Sequence, residues 1–277
     1  MVNDNGDVRP QALLLTFFGG HVLGRGVRVS TGSVLEVLAR VGVAEPAARS
    51  TLSRMAERGL LRRHRIGRKT YLGLTPRARE ILADGEVRIW RVGVVNDHWD
   101  GAWTLLGFTV PESRRRQRHL LRSRLMWAGF GALRGGLWIS PSPVDVPRLL
   151  EGIEATEHVT VFQARALSPT DLRELVHGAW DIEGLAKRHR RFIERWSPPV
   201  EAEAADPLAR QLLLTAEWLQ LLRRDPRLPI GHLPADWPAE RAQRRFRRLH
   251  AELDPEARVL ASGLLDTVPE EDEGPGR

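Results

Sequence analysis

The stretch EPAARSTLSRMAERGLLRRHRIGRKTYLGLTP, residues 45–76, decides the fold. It opens on Glu45-Pro46, where a proline suits the first turn of a helix. Ala48, Leu52 and Met55 recur at helical spacing and predict a core-facing stripe, with Arg49, Ser50, Ser53 and Arg54 on the other faces. Gly59 is placed to end that helix. Residues 60–66 and 69–74, separated by Gly67-Arg68, then have the pattern of a β-hairpin with a basic tip. Thr75 and Pro76 supply a cap and a first-turn proline for another helix.

Working outward, Pro10 starts a helix expected to run to Phe18, before Gly19-Gly20. A second helix begins near Thr31 or Ser33. Ser33 and Glu36 have capping-box spacing, and Val34, Leu35, Val37, Leu38 and Val41 give an apolar face. Three helices, a hairpin and a closing helix predict a winged helix-turn-helix over residues 9–84. The glycine-rich run from Gly19 to Gly26 follows no strand and lacks Walker spacing, so it is read as a flexible turn between helices. Residues 85–100 read as a linker.

The period then changes. A strand at 102–110, a helix from Pro111 to about Trp127, short strands at 130–133 and 137–140, a helix at 144–155 and a strand at 158–167 make the order βαββαβ. That order predicts a ferredoxin-like domain over 101–167. Residues 168–265 have the pattern of a C-terminal helical domain, with helices at 170–177, 182–196, 208–224, 240–253 and 255–265. The segment 266–277 is acidic and rich in Pro and Gly, and is expected to be a disordered tail. The fold class is therefore α+β.

A chain of 277 residues with 42% hydrophobic content is long enough for two or three domains, each with its own core. The net charge of +7 favours polyanionic partners, nucleic acid first. Only Lys69 and Lys187 are lysines, and an arginine bias of this kind also follows from a GC-rich genome, so the distribution of charge carries more weight than its total. Between Arg9 and Glu80 stand 14 basic and 4 acidic side chains, an excess larger than that of the whole chain. The absence of cysteine excludes disulfides and Cys-ligated zinc. The nine histidines lack metal-ligand spacing, and no Gly-x-Ser-x-Gly elbow occurs. No enzyme, cofactor or metal site is expected. The first eight residues lack the regions of a signal peptide, and the apolar run 12–23 is too short to span a bilayer, so a cytoplasmic protein is expected, without a membrane partner.

The helix at 45–58 carries what a major-groove reader needs: small residues for close approach and long donors for base edges. Arg49 and Arg54 are candidates for base contacts, and Ser50 and Ser53 for bases or phosphates. Arg65, Arg68 and Lys69 at the hairpin suit a phosphate backbone or a minor groove. The competing reading is a solvated basic face, with Arg49 or Arg54 paired to Glu45 or Glu57. Arg114, Arg115, Arg116 and Arg118, and the run from Arg188 to Arg191, have the same two readings: solvated surface, or contacts to phosphate on DNA or on an effector. Most of the nine tryptophans suit cores or interfaces, though some suit a pocket for an aromatic ligand.

The chain resembles the PaaX family, repressors of phenylacetate degradation. The resemblance rests on residues 48–55 as a recognition helix and on 67–71 with Leu74-Thr75 as a wing. It continues through 99–103, 108–112, 129–133 and 136–141, and is most specific at 225–229 and 233–237. It implies a homodimeric repressor on a near-palindromic double-stranded DNA operator, released by an aryl-acyl-CoA such as phenylacetyl-CoA. Such an effector wants arginines for its phosphates and an aromatic-lined pocket for its acyl end. Arg114, Arg118, Trp138, His189 and Arg190 are the candidates. Family members often carry His and Arg where this chain has Ala216 and Leu219, and Gly where it has Ala239. Alternatives from other classes are a regulator of another catabolic operon, a CoA-dependent enzyme without a visible nucleophile-base arrangement, and a ferredoxin-like nuclease. The nuclease needs a carboxylate at the end of the first strand of the middle domain, where Thr109 stands.

Overall fold

The computed structural model describes residues 8–270 except 143, 155 and 198–205. The class is α+β: among the described residues, helices accompany two four-stranded antiparallel sheets. The chain divides into two compact units, one built from the described residues of 1–93, 195–220 and 244–277, the other from those of 94–194 and 221–243.

In the first unit, α1 (Pro10–His21) begins at a proline and buries Leu13, Leu14, Phe17 and Phe18. It does not stop at Phe18. Gly19 and Gly20 are helical, because an apolar helix packed on several sides outweighs the roughly 1 kcal/mol propensity cost of each glycine. The extended segment β1 (Val27–Ser30), concealed by the glycines before it, leads into α2 (Thr31–Arg40). The cap of α2 is Ser30, whose side chain accepts from the Ser33 amide at 3.1 Å, rather than Ser33 itself. Helix α3 (Glu45–Glu57) buries Ala48, Thr51, Leu52 and Met55. It ends at Gly59 (φ 67°), with the Leu60 amide donating to the Met55 carbonyl at 2.9 Å and that of Gly59 to Ala56 at 3.0 Å. This pair of bonds satisfies two terminal carbonyls and needs a left-handed residue between them.

Strands β2 (Leu61–Ile66) and β3 (Lys69–Leu74) pair from Leu61↔Leu74 to Ile66↔Lys69. Gly67 (φ 59°) takes the first loop position, where a tight hairpin turn requires a positive φ. Thr75 caps α4 (Pro76–Val87) by accepting from the Ala78 amide, and its hydroxyl donates to the Gly59 carbonyl at 2.7 Å. The supposed linker at 85–100 is partly ordered helix: α4 reaches Val87 and a π turn continues over Arg88–Val92, burying Ile89.

The second unit holds β4 (Trp103–Phe108), α5 (Arg115–Trp127), β5 (Gly131–Ala132), β6 (Leu137–Ser140), α6 (Val146–Leu150) and β7 (Val159–Ala164). The sheet order is β5-β6-β4-β7 and every pairing is antiparallel. Alternation splits its side chains into two cores. Leu106 and Trp138 join Leu121 and Leu125 of α5 on one face. Trp103 and Ile139 face Val176 of α7 (Leu172–Ala179) and Ile182 and Leu185 of α8 (Ile182–Arg195) on the other. Helix α6 has five residues where twelve were expected: Asp145 caps it, and Gly152 (φ 69°) follows within two residues of its end.

The C-terminal helices do not form a parcel of their own. Leu208, Leu212 and Ala216 of α9 (Pro207–Arg224) and Ala257 and Ala261 of α10 (Ala239–Leu264) complete the core around α1–α4. Two helices were expected at 240–253 and 255–265, but α10 passes through Pro255 without a break. Proline in a helix interior costs about 3 kcal/mol. Burial of Ala257 and Ala261 on the far side offsets it. The start of the expected disordered tail is also ordered: β8 (Thr267–Pro269) pairs with β1, giving the order β2-β3-β1-β8. Its acidic, proline-bearing composition gave no hint of a partner strand 240 residues away in the chain. Residues 271–277 of that tail lie outside the described residues.

Candidate nucleic-acid interface

The exposed side of α3 is built from Glu45, Ala47, Arg49, Ser50 and Arg54, opposite the Ala48–Leu52–Met55 stripe. The ion-pair reading of its arginines holds at Arg49. Arg49 Nε donates to Glu45 Oε1 at 2.7 Å, an i,i+4 pair with both side chains about three-fifths exposed (60% and 62%). A pair so open contributes under about 1 kcal/mol and yields readily to a stronger anion. Arg54 has no carboxylate partner in these contacts. Its guanidinium lies back along the helix, donating to Ser50 Oγ at 2.7 Å and to Thr51 Oγ1 at 3.0 Å. Two neutral acceptors hold the fork in place and leave its charge uncompensated by them.

Ser53 is held from the hairpin, where Arg63 donates to its hydroxyl at 2.9 Å. Arg63 was not singled out from the sequence, although a signal existed. On β2, Leu61 is buried toward the core and Arg63 and Arg65 follow at the two-residue period that puts them on its side of the strand. Arg65 and Arg68 are exposed. Lys69, at the same tip, is two-thirds exposed (66%) but bonded: its Nζ lies 2.8 Å from Asp266 Oδ2. The hydrogen bond with the Lys69 ammonium holds the Asp266 carboxyl below the usual range, and the same bond raises Lys69. The surface therefore runs from Arg49 and Arg54 through Ser53 and Arg63 to the hairpin.

The five effector candidates meet different fates. Arg114 donates to Glu157 Oε1 at 2.7 Å and to the Glu154 carbonyl. Arg190 pairs with Glu183 at 3.0 Å. Trp138 is a core residue, 4% exposed, with the Arg122 guanidinium 6.0 Å from its ring centroid. His189 is 1% exposed and bonded through Nε2 to Asp225 Oδ2 at 2.7 Å, with Trp237 edge-on to its ring. Arg118 is half-buried on α5 and has interactions of its own. Trp138 and His189 thus belong to packed interior, and the described contacts give the other members separate partners instead of drawing all five to one ligand.

His189 explains part of the most specific sequence motif instead. Asp225 accepts from His189 and, through Oδ1, from the Arg227 amide at 2.7 Å; Arg227 has φ 55°, and its carbonyl accepts from Asn96 Nδ2 at 2.9 Å. The departures at Ala216 and Ala239 are also interior, each 1% exposed, whereas Leu219 is half-buried. Thr109 is exposed just past β4. Among the described residues no group of three or more His, Cys, Asp or Glu is arranged to hold a metal ion, and no helix is long and apolar enough to cross a membrane.

Three family models match the chain: PaaX-like protein over residues 9–78, PaaX protein central Cas2-like domain over 96–176, and PaaX-like protein C-terminal domain over 180–262. The chain belongs to the PaaX family. A curated relative is the Transcriptional repressor PaaX of Escherichia coli (strain K12), 30% identical, with the alignment covering 96% of this chain and 87% of the relative. A solved structure, that of the uncharacterized protein Rv0674 from Mycobacterium tuberculosis, shares the fold with a TM-score of 0.61 at 24% identity, covering 91% of this chain and 98% of the other.

Proposed function

We propose that this chain is a transcriptional repressor that binds double-stranded DNA, with residues 9–84 acting as a winged helix-turn-helix and 101–167 as a ferredoxin-like domain. Its relative's role and its family membership support a regulator over an enzyme. The observation that carries DNA binding is the Arg54 guanidinium, pinned by Ser50 and Thr51 on the open face of α3 beside a hairpin bearing Arg63, Arg65 and Arg68. In this reading α3 enters the major groove with Arg49, Ser50, Ser53 and Arg54, and the hairpin follows the backbone. The protein acts as a homodimer on two half-sites. An acyl-CoA such as phenylacetyl-CoA releases it; the support for that effector is the family resemblance together with the arginine-rich start of α5.

The test is a band-shift titration of the chain on its own upstream region and on random DNA, over a salt series. We expect log K to fall against log salt with a slope of about −0.9 per phosphate contacted. Arg54→Ala should lower the preference for operator by about 10- to 100-fold, as loss of a bidentate base contact worth about 1–3 kcal/mol requires. Equal discrimination by parent and variant rejects this face of α3. Phenylacetyl-CoA added to the complex should free the DNA. The polar-to-apolar departures at Ala216 and Leu219 favour one other reading, a regulator of a different catabolic operon, and release by another acyl-CoA alone would select it.

A further inference from the structure

After α10 the chain returns to the N-terminal sheet, and almost every polar group of this return is engaged. The Ser33 hydroxyl donates to the Leu264 carbonyl at 3.0 Å and accepts from the Asp266 amide at 2.9 Å. The Ser30 amide donates to the Asp266 carbonyl at 2.9 Å, and the Glu270 amide to that of Gly26 at 2.7 Å. Arg79 bonds the Glu270 carboxylate. The Asp266 side chain reaches the other way, to β3: Lys69 Nζ at 2.8 Å, and the Tyr71 hydroxyl, which donates to the two oxygens at 3.2 and 3.3 Å. Lys69 and Tyr71 are two residues apart and so share a strand face. Asp266 thus holds the cap of α2 with its backbone while its side chain holds β3 of the hairpin near the tip. Thr31 adds a parallel tie, its hydroxyl donating to the Thr70 carbonyl at 3.0 Å.

A carboxylate beside a lysine on a DNA-facing surface has two opposite roles open to it. It masks a phosphate contact, or it fixes the geometry of its neighbours. The convergence favours the second. Three of the four groups bonded to Asp266 are backbone or hydroxyl groups that gain nothing from a competing phosphate, and Tyr71 is 6% exposed. We infer that Asp266 is a positioning residue for the DNA-reading surface, clamping the hairpin to the start of α2 so that Arg65 and Arg68 are presented, and that Lys69 acts through this clamp instead of on a phosphate. The inference rests on the DNA-binding reading above.

The sign of one substitution separates the roles. Asp266→Asn makes the surface more positive, so masking predicts tighter operator binding. The clamp predicts weaker binding, by about tenfold, the equivalent of one charged hydrogen bond. Its retained amide oxygen still accepts from Tyr71, and a thermal midpoint close to that of the parent confirms folding. Lys69→Met should leave the slope of log K against log salt unchanged, while Arg68→Met should make it less negative by about 0.9. Exchanging the pair, Lys69→Asp with Asp266→Lys, should restore affinity above either single variant. Tighter or unchanged binding by Asp266→Asn, or a slope change in Lys69→Met equal to that in Arg68→Met, overturns the inference while leaving DNA binding intact. A parent chain without salt-dependent operator binding overturns the DNA reading itself, and the clamp's role with it.

Discussion

His21 closes the last turn of α1 with 4% exposure, its ring centroid 5.7 Å from that of Phe17. A cation at a helix C-terminus is ordinarily favoured. Here burial dominates, helped by the charges of Arg25 and Arg258, and pushes the imidazole from 6.5 down to about 4. The native state therefore holds His21 neutral while the unfolded chain takes up a proton below about pH 6.5. Stability is unaffected above that pH and declines as the pH falls toward 4, by up to about 3 kcal/mol from this residue. Urea unfolding of the parent and of His21→Phe at pH 7 and pH 4.5 should show the smaller acid-side loss in the variant. Equal losses would mean that the acid sensitivity arises elsewhere. The sequence offers nine histidines of identical standing, and only the structure shows that burial beside Arg25 and Arg258 governs this one.

At the scale of elements, how α3 ends matters as much as how it begins. Gly59 at φ 67° lets the Leu60 amide turn back to Met55 and aims the chain into β2. A Cβ added at Gly59 meets nothing within 4 Å, so the cost of Gly59→Ala is conformational alone, about 1–2 kcal/mol. Gly59→Asn should lose less, since asparagine tolerates the left-handed region better. Thermal unfolding of the two variants gives the ranking, and an alanine variant as stable as the parent would refute it. The core stripe of α3, the hairpin and Thr75 as a cap were all legible in the sequence because each is a local pattern. The bond from Arg63 to Ser53 was not, because it joins a strand to a helix and depends on the direction of a side chain across the fold. The strand β1 was hidden for a related reason: four residues after a glycine-rich run become a strand only when β3 and β8 are there to bond them.

At the scale of the molecule, the unit that carries α3 and the hairpin is not the contiguous segment that the sequence suggests. Leu208, Leu212, Ala216, Ala257 and Ala261 sit in its core, and β8 supplies one edge of its sheet. A fragment of residues 1–93 exposes the apolar surface those side chains cover, at about 25 cal/mol per Å², and loses the Arg40–Asp206 and Arg79–Glu270 pairs. We expect such a fragment to lose helical circular dichroism and to melt at least 10 °C below the whole chain. A fragment that melts with the parent would show that the C-terminal helices contribute nothing to the fold of this unit. The charge excess over residues 9–80, by contrast, was visible without any structure.

The sequence alone determined α3, the hairpin and the cap of α4 in their order, the class α+β, the concentration of positive charge near the N-terminus and the residues of α3 that face away from the core. These follow from periodicity, capping and turn chemistry, which act within a few residues. Tertiary structure decided the rest. It set Arg54 against Ser50 and Thr51, buried Trp138 and His189 away from any surface role, carried α10 through Pro255, and ordered the start of an acidic stretch into the turn at Asp266, which ties Lys69, and the strand β8 that follows it. The physical reason is the same in each case. Burial and pairing partners separated by tens to hundreds of residues outweigh local preferences of about 1–3 kcal/mol, and no local pattern records them.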